Sequence, residues 1–264
     1  MNSVAARRTL AITHAPSPKM EQGQRTHIGR RAIDFARACR QHEEYCQRLR
    51  DCGAEVQVLD VNREWPDSVF VEDTAIVLDE VAVLASMGAE SRRGEAAGIE
   101  GELHKHREVE RFTLPATIEG GDVLRVGRTL LIGMSSRTNR AGVNQLEAVL
   151  RRYEYKVIPV SVNGCLHLKT ACTALPDGTL IVNPAWLDLE ALRGFNRVAV
   201  PESEPWAANV ALVGATVCLA AEHPRMGEMI RQRGFDVRTV ELSEFAKAEG
   251  GVTCLSLLFS AKES

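Results

Sequence analysis

A chain of 264 residues that is 45% hydrophobic and 25% charged has ordinary globular composition and enough material for a substantial core. Its formal net charge of −3, with scattered cationic side chains, gives no electrostatic footing for nucleic acid, and no run approaches the roughly 18 to 20 apolar residues of a membrane-spanning helix. Residues 1–8 lack the apolar stretch of a secretory signal, so a cytoplasmic setting is expected; there, seven cysteines without a C-x-x-C pair argue against a disulfide framework and a structural zinc site.

In chain order, Thr9, Leu10, Ala11 and Ile12 read as a first strand. Residues 33–52 carry Phe35, Ala38, Cys39, Tyr45, Cys46 and Leu49 at a period near 3.6, a helix with one buried face, and lead into a strand over 55–61. A hairpin follows, its arms 76–78 and 81–85 joined by a turn at Asp79 and Glu80. Residues 91–109 are polar and weakly periodic and are assigned to helix. The hairpin pattern returns over 123–132 around Gly127, over 173–182 around Pro176, Asp177 and Gly178, and over 210–219 around Gly214. Helices over 138–153 and 224–233, the second opening with Pro224 and stopped by Gly234, lead into strands over 155–162 and 235–242. The last strand, 254–259, has the N-terminal run as its natural partner, which protects an edge that would otherwise invite mispairing. The unit is hairpin, helix, strand, repeated about five times. No linker or composition shift divides residues 1–264, which read as one domain.

Within this repeat, Asp73, Glu119, His167, Asn209 and Cys254 each stand at the start of a short apolar run, separated by 46, 48, 42 and 45 residues. Singly, each has a bland reading: a turn residue, a core histidine, a buried thiol. Their joint spacing suggests equivalent positions in successive units, and units arranged around an axis bring equivalent positions together. Two carboxylates, an imidazole and a thiol then share one pocket. The carboxylates would repel each other and a thiolate unless the ligand is a cation. A guanidinium fits, because its paired N–H donors match carboxylates and its carbon is open to a sulfur nucleophile once the leaving amine is protonated. The bound cation would also favour the thiolate.

The stretches Asp67 to Asp73, Glu119-Gly120-Gly121-Asp122, Ser136 to Asn139, Leu166 to Thr170 and Gly250 to Leu257 resemble the signature blocks of the dimethylarginine dimethylaminohydrolases, members of the guanidino-group-modifying superfamily. The resemblance implies an α/β fold, a five-bladed α/β propeller with pseudo-fivefold symmetry. It further implies hydrolysis of Nω-methylated L-arginine to L-citrulline and a methylamine through a thiouronium on Cys254, with His167 as acid and then base and Glu119 holding the guanidinium. Asp73, with Glu72 beside it, would hold the substituted guanidinium; Arg92 and Arg137, assisted by Asp67, would clamp the carboxylate. No metal or organic cofactor is implied, although a thiol and imidazole such as Cys254 and His167 are compatible with an incidental inhibitory metal. The expected partner is a small guanidino molecule, not nucleic acid or membrane, and a homodimer is allowed. Residues 21–29 correspond to the family's mobile loop over the pocket, with His27 to Gly29 carrying the likeness, and Asn209 has no assigned chemical step. An arginine deiminase or other guanidino hydrolase is the alternative enzyme; a non-catalytic propeller, similar to a ribosome anti-association factor, is the third reading.

Overall fold

The computed structural model describes residues 8–261. The first unit comprises β1 (Thr9–His14), α1 (Phe35–Asp51) and β2 (Ala54–Leu59). Next come β3 (Ala75–Val77), β4 (Val81–Leu84), α2 (Glu95–Leu103) and β5 (Glu108–Arg111). They are followed by β6 (Val123–Val126), β7 (Thr129–Met134), α3 (Arg140–Leu150) and β8 (Lys156–Ser161). A single-turn α4 (Leu168–Ala171) precedes β9 (Cys172–Ala174), β10 (Leu180–Val182) and β11 (Arg197–Ala199). The chain continues through β12 (Val210–Val213), β13 (Thr216–Ala220), α5 (Pro224–Arg231), β14 (Val237–Val240), α6 (Ser243–Ala246) and β15 (Ser256–Ser260).

These strands form five sheets of three, ordered β15-β1-β2, β3-β4-β5, β6-β7-β8, β9-β10-β11 and β12-β13-β14. In every sheet the first pair is antiparallel and the second parallel. The last strand pairs with the first, Leu10 opposite Phe259 and Ile12 opposite Leu257. A parallel pair needs a crossover, and α1, α2, α3 and α5 supply it in four sheets; between β10 and β11 a 3₁₀ turn over Leu189–Leu192 suffices.

Local chemistry fixes these elements. The Asp34 carboxylate accepts the Arg37 N–H at 2.9 Å and starts α1. Its buried face, with Ala38, Tyr45, Cys46 and Leu49, packs on Ala11 of β1. Asn139 caps α3 by accepting the Gly142 N–H at 2.9 Å, and Val143, Leu146 and Leu150 pack on Leu130 and Ile132 of β7. Gly127 and Gly214 take the left-handed conformation that their tight hairpin turns require.

Two sequence expectations are corrected. Residues 91–109 are not one helix: α2 ends at Leu103, and 108–111 pair with β4 as a strand. That short segment is only half-buried and flanked by charges, so its pattern is too weak to separate from a polar helix. The final strand begins at Ser256, leaving Cys254 in the preceding turn, half-buried against the core under β1 and β12. Among the described residues no helix is long and apolar enough to cross a membrane.

Candidate active site

Each of the five repeat-related residues precedes the first strand of its sheet's antiparallel pair, which is a hairpin in four sheets and β15 with β1 in the fifth. Asp73 lies in a 3₁₀ turn over Val71–Thr74 before β3, and Glu119 directly precedes the turn Gly120–Asp122 before β6. His167 starts α4, Asn209 precedes β12, and Cys254 precedes β15. Such short turns let a side chain leave the backbone at the strand end while the strand itself fixes its position.

Three of the five meet directly. His167 Nε2 lies 2.7 Å from Glu119 Oε2, and its Nδ1 lies 3.7 Å from Asp73 Oδ1. Glu119 is fully buried, and its Oε1 accepts the Gly88 N–H at 2.9 Å. Asp73 Oδ1 accepts the Gly121 N–H at 3.2 Å. A Cβ on Gly121 would come within 2.7 Å of that oxygen and 2.8 Å of His167 Nδ1, so only glycine admits this approach. Burial opposes charge on His167, but Asp73, Asp122 and the hydrogen bond to Glu119 outweigh it and raise the imidazole to about 9. The same contacts overcome burial at Glu119 and Asp73 and hold both carboxyls below their ordinary range. At neutral pH the cluster is therefore an imidazolium between two carboxylates.

Cys254 is tied to this cluster through the backbone, its carbonyl accepting the Glu72 N–H at 3.2 Å. Its Sγ accepts the Gly251 N–H at 3.3 Å. Burial, reinforced by Glu72 and Asp73, pushes the thiol up to about 12. The sulfur therefore stays protonated until positive charge enters beside those carboxylates.

The carboxylates are not bare, as the sequence reading had them, because each has a protein cation. Glu72 Oε1 pairs with Lys169 Nζ at 2.7 Å, and its Oε2 accepts the Thr253 hydroxyl at 2.8 Å. Asp73 Oδ2 accepts from Arg92 Nη1 at 2.7 Å. Arg92 is more committed than expected of a clamp: Nε and Nη2 bond Glu95, and Nη2 also reaches the carbonyls of Asp67 and Phe70. Since Nη1 carries two hydrogens, one donor is left for a ligand. Arg137 is the freer cation. Its Nη1 is buried without a hydrogen-bond partner, 3.7 Å from Glu119 Oε1. Asp67 lies under the loop, both its oxygens accepting the Gln24 N–H at 3.1 and 3.2 Å.

Three contributors were not assigned from the sequence. Lys169 lies within the Leu166 to Thr170 block, yet nothing local marks it as the partner of Glu72. Buried Asp122 accepts the Leu168 N–H at 2.9 Å and the Ser135 hydroxyl at 2.6 Å, tying the His167 turn to the loop that carries Arg137. Glu249 accepts the backbone N–H groups of Thr26, His27 and Ile28, which holds the 21–29 loop down. One ligand atom from each of Asp73, Glu119 and His167 lies within 4.8 Å of the others. The guanidinium groups of Arg92 and Arg137 at the same carboxylates make this a poor seat for a divalent cation.

A half-buried thiol and a buried imidazolium thus stand among counter-charged carboxylates at the ends of small mixed sheets. The family model described as N,N dimethylarginine dimethylhydrolase, eukaryotic, matches residues 17–184. An N(G),N(G)-dimethylarginine dimethylaminohydrolase of Streptomyces coelicolor is 40% identical over 94% of this chain and 95% of its own. One from Pseudomonas aeruginosa is 36% identical over 94% of this chain and 98% of its own. The solved structure of a mutant of the Pseudomonas aeruginosa enzyme complexed with citrulline superimposes with a TM-score of 0.88 at 34% identity, covering 96% of this chain and 99% of that one. The chain belongs to the dimethylarginine dimethylaminohydrolase family.

Proposed function

We propose that this hydrolase converts asymmetric dimethylarginine and monomethylarginine to L-citrulline and a methylamine, with Cys254 as nucleophile. The observation that carries the reading is that the half-buried Cys254 thiol, raised to about 12, feels the same Asp73 carboxylate that lies 3.7 Å from Nδ1 of the His167 imidazolium. A guanidinium bound against those carboxylates replaces repulsion with attraction at the sulfur and draws the thiol pKa down, so that the thiol gives its proton to solvent. The thiolate then adds to the guanidinium carbon, held by Asp73, Glu72 and Glu119. His167, charged at neutral pH, gives its proton to the substituted amine; the C–N bond breaks and leaves a thiouronium on Cys254. Neutral His167 next takes a proton from water and the hydroxide adds to the same carbon; the C–S bond then breaks as the adduct's hydroxyl proton passes to the sulfur, releasing citrulline and restoring the thiol. The orphaned Nη1 of Arg137, with the remaining donor of Arg92, takes the α-carboxylate, and Asp67 assists at the amino-acid end.

The finer architecture belongs to the same reading. The five sheets close into a five-bladed propeller over the described residues 8–261, as one catalytic domain of a cytoplasmic protein. Supporting closure, a cavity of about 540 Å³ is lined from all five sheets, with Ala75, Val123, Thr173, Val210 and Leu257 among its walls. Two hydrogen bonds also join Asn209 of one unit to Thr253 of the next.

The test is citrulline formation from asymmetric dimethylarginine, monomethylarginine and arginine in parallel, with Cys254→Ser as the blank. Turnover of the methylated compounds, absent in the folded Cys254→Ser protein, is expected. Turnover of arginine alone would make the protein a deiminase, and an active Cys254→Ser protein would remove the covalent mechanism.

A further inference from the structure

Asn209 is the one repeat-related residue left without a role, and its contacts supply one. It is buried, and its amide makes three bonds at once. Nδ2 donates to the Lys169 carbonyl at 2.9 Å and to Thr253 Oγ1 at 2.9 Å, while Oδ1 accepts the Thr253 N–H at 3.1 Å. Thr253 Oγ1, having accepted from Asn209, donates to Glu72 Oε2 at 2.8 Å. The amide also abuts Gly251, where an added methyl would collide with it, and the Gly251 N–H is the donor facing Cys254 Sγ. One side chain thus holds both ends of the 251–253 turn before Cys254 and ties that turn to the helix that starts at His167.

We propose that Asn209 is a positioning residue for the nucleophile, fixing the Gly251 N–H and the Thr253 hydroxyl against Cys254 and Glu72 and setting the thiolate's approach relative to His167. The proposal rests on the reading of Cys254 as nucleophile. Two donors and one acceptor are needed on a side chain of this length, and only asparagine supplies them. An aspartate of the same shape keeps the acceptor, loses both donors and brings another negative charge toward the sulfur. The groups already acting on Cys254 are Glu72 and Asp73. Glu72 is paired with Lys169, and Asp73 with Arg92 and His167.

The experiment is the rate of Cys254 alkylation by iodoacetamide at pH 8 and 9 in the full chain, followed by peptide mass mapping with half-buried Cys39 as internal reference. Wild type, Asn209→Ala, Asn209→Asp and Gly251→Ala are compared, together with kcat and KM for citrulline formation. Loosening a hydrogen bond to the sulfur anion should raise the thiol pKa by about one unit, which slows alkylation about tenfold in Asn209→Ala. Asn209→Asp should be slower still, and kcat should fall about a hundredfold while KM stays within about twofold. A role in shape alone predicts the opposite order, with Asp nearer wild type than Ala, and that order would overturn the proposal. So would wild-type alkylation rates in both folded variants. Should the Asn209 variants fail to fold, Gly251→Ala disturbs the same contact from the other side, and an unchanged alkylation rate there is equally fatal. Alkylation does not require methylarginine turnover; an inactive wild type would count against the proposed substrate, and the order of alkylation rates decides the role of Asn209.

Discussion

Glu119→Gln isolates the group that keeps His167 charged. The substitution preserves volume and an acceptor for the Gly88 N–H, but it removes the carboxylate 2.7 Å from Nε2. A charge-assisted hydrogen bond of this kind is worth about 1.5–3 kcal/mol, or about one to two pKa units. His167, held at about 9 in the native protein, should therefore titrate about one to two units lower, at about 7 to 8, with Asp73 and Asp122 still opposing the effect of burial. The imidazolium is the form that protonates the departing amine, so activity is lost as pH rises through this pKa. The alkaline limb of the kcat profile for monomethylarginine should move down by the same amount, checked against the His167 ring resonances in an NMR titration. Stability follows the same sign: the folded pKa lies above the ordinary histidine value of 6.5, so the contribution is complete below that pH and lost as pH rises through about 9. In the variant that loss is finished at lower pH. An alkaline limb and a ring titration that both stay at their native positions would refute the assignment of His167 as the acid charged by Glu119.

Arg137→Ala should raise KM about ten- to a hundredfold with kcat little changed, because a carboxylate contact acts in ground and transition states alike; a selective fall in kcat would give Arg137 another role. Lys169→Met removes the ion pair from Glu72, whose pKa burial already raises, so the acid limb of kcat/KM should move upward; an unmoved limb would show that Glu72 does not need Lys169 to stay ionised. Leu146→Ala, at a fully buried position on α3 that makes none of the site's polar contacts, should cost about 2–5 kcal/mol in urea unfolding and leave kcat per folded molecule unchanged.

The repeat was legible because each unit opens the same way, with a polar residue, a sharp turn and then the first strand of an antiparallel pair. That register carried Asp73, Glu119, His167, Asn209 and Cys254 to one end of their sheets. The hairpins of β3 and β4 and of β6 and β7 were equally legible, since turn chemistry at Asp79 and Gly127 is local. The strand β5 was not, because its outward edge is charged and its backbone partners lie in β4. Counter-charges were the larger omission. Lys169 neutralises Glu72 across 97 positions of sequence, and a lysine after a histidine looks the same whether it faces solvent or a buried carboxylate.

Yet a trace of the counter-charges was present in the chain. Arg92 follows Asp73 by 19 residues and Arg137 follows Glu119 by 18, each placed after the second strand of its hairpin. A hairpin returns the chain to the end at which it began, so an arginine just beyond it comes back to the carboxylate just before it. The repeat therefore encodes cation with anion, two units in succession, and this pairing, with Lys169 at Glu72, explains how a pocket of three buried carboxylates is stable before any substrate cation enters. It also separates the two guanidinium groups by physics: Arg92 is consumed by Asp73 and Glu95, whereas Arg137 reaches Glu119 only at 3.7 Å and keeps an unpaired nitrogen. Recognition of the ligand's carboxylate should accordingly depend more on Arg137, and integrity of the carboxylate cluster more on Arg92.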